Sequence, residues 1–123
     1  MLIRSGVDII EINRLNKLNK NIRNRFLKRV FTTRELSLIK NSYSSAAGRF
    51  AAKEAVSKAL GAGIGDVRWQ DIEILQGKSG EPQLFLHNKA KDFSDQLNLE
   101  TWSVSISHSK EYAVSFVVAL SNE

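Results

Sequence analysis

A chain of 123 residues with 42% hydrophobic and 25% charged side chains has the size and composition of one soluble globular domain, residues 1–123, with its own core. It has no cysteine, which excludes disulfides, thiolate metal sites and cysteine nucleophiles. Arg4 and Asp8 interrupt its first ten residues, so neither a signal peptide nor a membrane span is expected, and a cytoplasmic location is. The net charge of +5 is concentrated: residues 12–34 hold eight basic side chains and no acid, while elsewhere ten basic residues face thirteen acids. Such an element attracts an anionic partner, either nucleic acid or an acidic protein, unless it is only a solvated face.

In chain order, residues 2–10 alternate as a strand, with Val7 and Ile9 on one face and Asp8 and Ile10 on the other. Ile12, Leu15, Leu18, Ile22, Phe26 and Val30 mark the buried side of a helix that the asparagines weaken, and a break is expected over 19–24. Thr32 and Glu35 form a capping box that starts a short helix to about residue 40. Residues 41–45 read as a loop, one of whose serines can cap the helix that follows.

That central helix carries Glu54 and Lys58 four residues apart, about 40° from one another around the axis. Ala47, Phe50, Ala51 and Ala55 surround them, whereas Arg49, Lys53 and Ser57 form a separate polar stripe. The pair is therefore expected in a small-residue crevice, where charges need a partner. The plain alternative is a surface i, i+4 pair worth a few tenths of a kcal/mol. Gly61, Gly63 and Gly65 end the helix and let backbone approach a ligand, without the spacing of a Rossmann or Walker loop.

Residues 69–75 read as a strand, 76–82 as a Gly/Pro turn and 83–86 as the hairpin partner. Residues 88–97 form a short helix with Ala90, Phe93 and Leu97 inward. Trp102, Val104, Ile106 and His108 share a strand face, and 112–120 should be a central strand paired across the turn at 109–111. The fold class is α+β, a largely antiparallel sheet with helices packed on it.

Three motifs now carry a resemblance: Gly6-Val-Asp8-Ile-Ile-Glu11, Arg49-Phe-Ala-Ala-Lys53-Glu54-Ala-Val-Ser-Lys58-Ala-Leu-Gly61, and Ser105-Ile-Ser-His108. In order and at full length they resemble the bacterial holo-[acyl-carrier-protein] synthases, the small phosphopantetheinyl transferases. The resemblance implies transfer of 4′-phosphopantetheine from coenzyme A to a serine of apo acyl carrier protein, in support of fatty acid biosynthesis. Adenosine 3′,5′-bisphosphate is released and Mg²⁺ is the cation. A hydroxyl attacking a pyrophosphate needs a divalent ion on the phosphate oxygens and a proton acceptor, and Mg²⁺ is usually held by one or two carboxylates.

Carried over, Asp8 and Glu54 look like the metal ligands, with Glu54 or a metal-bound water as the base. Lys58 would neutralise the bridging oxygen of the leaving bisphosphate. Arg49, Lys58, Gly61, Gly80, Pro82 and His108 resemble the coenzyme A contacts, with Arg49 open to a structural pairing with Glu35 and His108 to a core role. Glu81 stands where the family usually has lysine, and the 41–47 loop lacks the basic residues of many members.

Arg14, Arg25 and Arg29, with Phe26 as apolar anchor, match the surface that receives the acidic carrier protein, while Lys17, Lys20 and Arg23 would add steering. The resemblance also implies a homotrimer with active sites between subunits. A basic nucleic-acid-binding module is the alternative; the segment's only aromatics are Phe26 and Phe31, and it leaves Asp8, Glu54 and Lys58 without a role.

Overall fold

Alternation near the amino terminus becomes strand β1 (Ile3–Glu11) of a computed structural model that describes residues 1–122. The basic segment folds as two helices, α1 (Asn13–Lys17) and α2 (Lys20–Val30). Their break falls at Leu18 and Asn19, at the edge of the expected range, because the Asn19 side chain accepts from the Ile22 amide and caps α2. Thr32 and Glu35 make the expected capping box at the start of α3 (Thr33–Ile39). Ser42 caps α4 (Tyr43–Leu60), and Gly61 ends it in the left-handed conformation at φ +72°.

Residues 69–71 are a 3₁₀ turn rather than the expected start of a strand, since Asp71 accepts from the Arg68 amide and tightens the chain there. β2 (Ile72–Gln76) and β3 (Pro82–Leu86) follow as an antiparallel hairpin. α5 (Asn88–Gln96) leads to β4 (Leu99–His108) and β5 (Tyr112–Ser121). The single sheet of the sequence reading is thus two: β1-β5-β4, antiparallel throughout, and the β2-β3 hairpin.

Helix α4 is the centre of the molecule. Its ridge of Ala47, Ala51, Ala55 and Ala59 is wholly buried and lets it lie close on the three-stranded sheet. Ala52, Val56 and Leu60 join Val67, Ile72, Ile74, Val117 and Ala119 in the main core. Each of the larger side chains buried there is worth about 1.5–3 kcal/mol. On the opposite flank Leu15, Val30, Phe31 and Ile39 pack with Ala46. Ile22, expected in that cluster, is instead 46% exposed, because the break re-aims α2.

The sheet's outer face is apolar and open. Ile3, Val7, Ile9 and Phe116 are each at least half exposed, and Val7 and Phe116 are directly paired across the strands.

Candidate active site

Strand β1 presents Asp8 inward, between Gly6 and Ile10, toward α4. Lys58, one turn beyond Glu54, donates to the Val7 carbonyl at 2.8 Å and stands 3.4 Å from Asp8. Asp8, Glu54 and Lys58 are therefore brought together at the β1–α4 junction. Burial pushes the Glu54 carboxyl above the usual range, and the negative charge of Asp8 adds to this while Lys58 opposes it. The crevice is shallower than its sequence implied: the Lys58 side chain is 53% exposed, since the alanine ridge carries the contact and the lysine leaves its edge.

Two carboxylates on separate elements, with one ammonium between them and solvent, suit a hard cation that keeps waters and substrate oxygens in its shell. Among the described residues no cluster of three or more His, Cys, Asp or Glu side chains is arranged for a metal. The donor set thus fits Mg²⁺ better than an ion that demands an all-protein cage.

A second feature lies on the other side of α4. Ser42, Ser45, Gly48 and Arg49 of the helix start, Ile74 and Gln76 of β2, Gly80 and Pro82 of the hairpin turn, and Ile106 and His108 of β4 line a cleft of about 270 Å³. Arg49 is held by bonds to the Ile74 carbonyl and the Ser45 hydroxyl; burial lowers its pKa, and the charge of Glu35, with which it makes no bond, opposes this. Glu81 folds back into its own turn, where it accepts from the Ser79 amide at 3.3 Å. Arg49, Gly80, Pro82 and His108 therefore converge, as an arginine, an open turn and an exposed imidazole around one cleft. Gly61 lies elsewhere: Arg4 donates to the Ala59 carbonyl, and its guanidinium covers the place where a Gly61 side chain would start.

These two features face apart. Arg49 and Glu54 are five residues apart, which turns them about 140° around the helix. In the sheet, Asp8, Ser115 and Ile106 form one cross-strand row, with β1 and β4 as its two edges. Asp8 and the cleft wall are thus about 10 Å apart across β5, with α4 lying over the interval.

On the basic surface Ile22, Arg25, Phe26 and Arg29 border a shallow cleft of about 370 Å³, and Arg14 is exposed on α1. Phe26 is anchored from beneath by Phe31 and Phe50, whose ring stacks in turn on Trp69. Arg23 also has a local role: it donates to the Leu18 carbonyl at 3.0 Å and lies over the Tyr43 ring, locking the α1–α2 joint.

Sequence reasoning missed a buried pair. Lys53, placed on a polar stripe, is fully buried and donates to Glu35 at 2.8 Å and to the carbonyls of Trp69 and Ile72. Burial lowers the Lys53 pKa, with Glu35 opposing. α3 covers this face of α4, and three acceptors make the burial tolerable. Only Glu35 had a local signal, the capping box, and that signal says nothing of Lys53.

The 4′-phosphopantetheinyl transferase superfamily model matches residues 4–117. The holo-[acyl-carrier-protein] synthase of Alkaliphilus oremlandii is 45% identical over 94% of this chain and 96% of its own length. Among solved structures, the Helicobacter pylori holo-[acyl-carrier-protein] synthase in complex with coenzyme A has a TM-score of 0.84 at 38% identity, covering 94% of this chain and 99% of that one. The Bacillus anthracis synthase in complex with coenzyme A (3′,5′-ADP) has a TM-score of 0.77 at 37% identity, covering 97% and 96%. Within that superfamily, the chain belongs to the holo-[acyl-carrier-protein] synthase family.

Proposed function

We propose that this chain works as a Mg²⁺-dependent enzyme in the cytoplasm, with each active site shared between neighbouring copies of a homotrimer. As a holo-[acyl-carrier-protein] synthase it transfers 4′-phosphopantetheine from coenzyme A to apo acyl carrier protein. The observation that carries the mechanism is the meeting of Asp8 with Glu54 and Lys58 at the β1–α4 junction.

Asp8 and Glu54 would hold the ion, which when bound supplies positive charge to the pyrophosphate oxygens. The serine hydroxyl attacks the phosphorus that bears pantetheine, and the bond to the bridging oxygen breaks. Glu54, beside the attacked phosphorus, is the carboxylate that would accept the serine proton. Lys58 swings from the Val7 carbonyl to the bridging oxygen, which leaves with the bonding electron pair on adenosine 3′,5′-bisphosphate. The Arg49–His108 cleft takes the nucleotide end, and Arg14, Arg25 and Arg29 with Phe26 receive the acidic carrier protein.

The shared site rests on two observations. The cleft and the carboxylates face apart within one copy, and the sheet leaves Ile3, Val7, Ile9 and Phe116 open for another copy to cover. The test is mass spectrometry of apo acyl carrier protein incubated with the protein, coenzyme A and Mg²⁺. A mass gain of one phosphopantetheine, lost on chelation and in Asp8→Ala and Glu54→Ala, is expected. Gain that survives thorough chelation overturns the metal assignment.

A further inference from the structure

We infer that Gly6 is a positioning residue: it sets the gap across which Asp8 and Glu54 reach one metal ion. Gly6 faces α4 beside Asp8, and a Cβ built on it would stand 1.9 Å from the Ala55 carbonyl oxygen and 2.8 Å from the Ala55 carbonyl carbon. Both are backbone atoms of the helix, so no side chain can rotate away. Ordinary contact begins near 3.4 Å, so any side chain at position 6 parts strand and helix by about 1.5 Å. Ala55 is adjacent in sequence to Glu54 and Gly6 is two residues from Asp8, so the added gap falls between the two carboxylates.

Magnesium makes the displacement consequential. Its ligand distances of about 2.0–2.1 Å and near-ideal octahedral geometry leave no room for a shift that size, whereas a flexible ion pair absorbs it. Gly48 on the same helix supplies the contrast. Its added Cβ would meet the Cγ2 methyl of Ile106 at 2.8 Å, a side-chain contact on the β4 side of the helix, away from Asp8. The obstacle on the β1 side of α4 is thus backbone and that on the β4 side a side chain, so only the first fixes the gap between Asp8 and Glu54.

The inference rests on Asp8 and Glu54 being the metal ligands. The experiment is an Mn²⁺ titration, followed by electron paramagnetic resonance, of full-length protein saturated with coenzyme A. Coenzyme A binding without metal is measured separately by calorimetry. Gly6→Ala is expected to weaken Mn²⁺ at least tenfold while metal-free coenzyme A affinity stays within twofold. Ala55→Ser, which adds one atom to the fully buried residue whose backbone meets Gly6, should show a smaller loss of the same selectivity. Gly48→Ala should leave Mn²⁺ within twofold.

If Gly6→Ala does not fold, Ala55→Ser decides. Wild-type Mn²⁺ affinity in the deciding variant overturns the proposal, as does an equal loss in Gly48→Ala or an equal loss of coenzyme A affinity. Asp8→Asn separates the two levels. If it too keeps its Mn²⁺ affinity, the ligand assignment itself fails; if it loses the ion while Gly6→Ala does not, only the role of Gly6 fails.

Discussion

The two sides of α4 are held by different physics. Toward β1 the contact is steric: Gly6, Ala51 and Ala55 bring strand and helix together, and the charges of Asp8, Glu54 and Lys58 stand at the rim. Toward α3 and β2 buried charge joins the apolar core that Val56 shares with Ile72 and Ile74. Lys53 and Glu35 pair fully buried, and Glu73, 3% exposed, is bonded by Thr32, Arg34 and His87. A steric seat holds a distance independently of pH and salt, which suits the two carboxylates proposed to hold one small ion. An ion-pair network orients the hairpin that walls the Arg49–His108 cleft, and it responds to protons. One helix so carries both proposed half-sites, turned about 140° from one another.

The largest test of that contrast is complementation. Asp8→Ala removes the β1 side and Arg49→Ala the cleft side, and each alone should be nearly inactive. Co-expressed, mixed trimers of the proposed kind would regain one intact site each, and random mixing would give roughly a quarter of the wild-type rate. Activity that stays at the sum of the parents means that one copy closes its own site.

Lys58→Ala should lower kcat by about 10²–10³, the loss of one preorganised charge, with the KM for carrier protein within twofold. Single-turnover kinetics read this directly. Unchanged turnover reduces Lys58 to a tether between the helix and the Val7 carbonyl.

Reversing a docking charge sharpens the division between protein and nucleotide surfaces. Arg25→Glu should raise the carrier-protein KM about tenfold and the coenzyme A KM less than twofold, and added salt should weaken the wild type with the same selectivity. Equal changes in both constants remove the docking role of this face.

The smallest effect is one of stability on the electrostatic side. Burial pushes the Glu73 carboxyl up, but hydrogen bonds from Arg34, Thr32 and His87 and the charge of Arg34 outweigh it and leave the pKa at about 2. A carboxyl below its unfolded value stabilises above the unfolded carboxylate range, and that contribution fades as pH falls toward 2. Arg34 is 63% exposed and screened by solvent, so Glu73→Gln should cost only about 1 kcal/mol at pH 7, with the gap to wild type closing on acidification. Urea denaturation at several pH values measures it. A gap that persists unchanged to low pH means that packing, not charge, is lost.

Local physics was legible without coordinates. Alternation placed Asp8 opposite Val7 and Ile9, the capping box started α3, Gly61 ended α4, and the apolar run at 112–120 became the central strand. These follow from backbone periodicity and capping, which depend on neighbours within a few residues. The same short range made Asp8, Glu54 and Lys58 visible as a set only through their motifs. What pairs with what depended on packing between elements far apart in the chain. Lys53 looked solvated because its acceptors, Glu35, Trp69 and Ile72, come from two other segments. Arg23 looked like free charge because Tyr43 lies twenty residues on. The separation of the Asp8 corner from the Arg49–His108 cleft exists only once the sheet order β1-β5-β4 puts their strands on opposite edges, because spacing along a helix sets an angle but not which neighbour fills it.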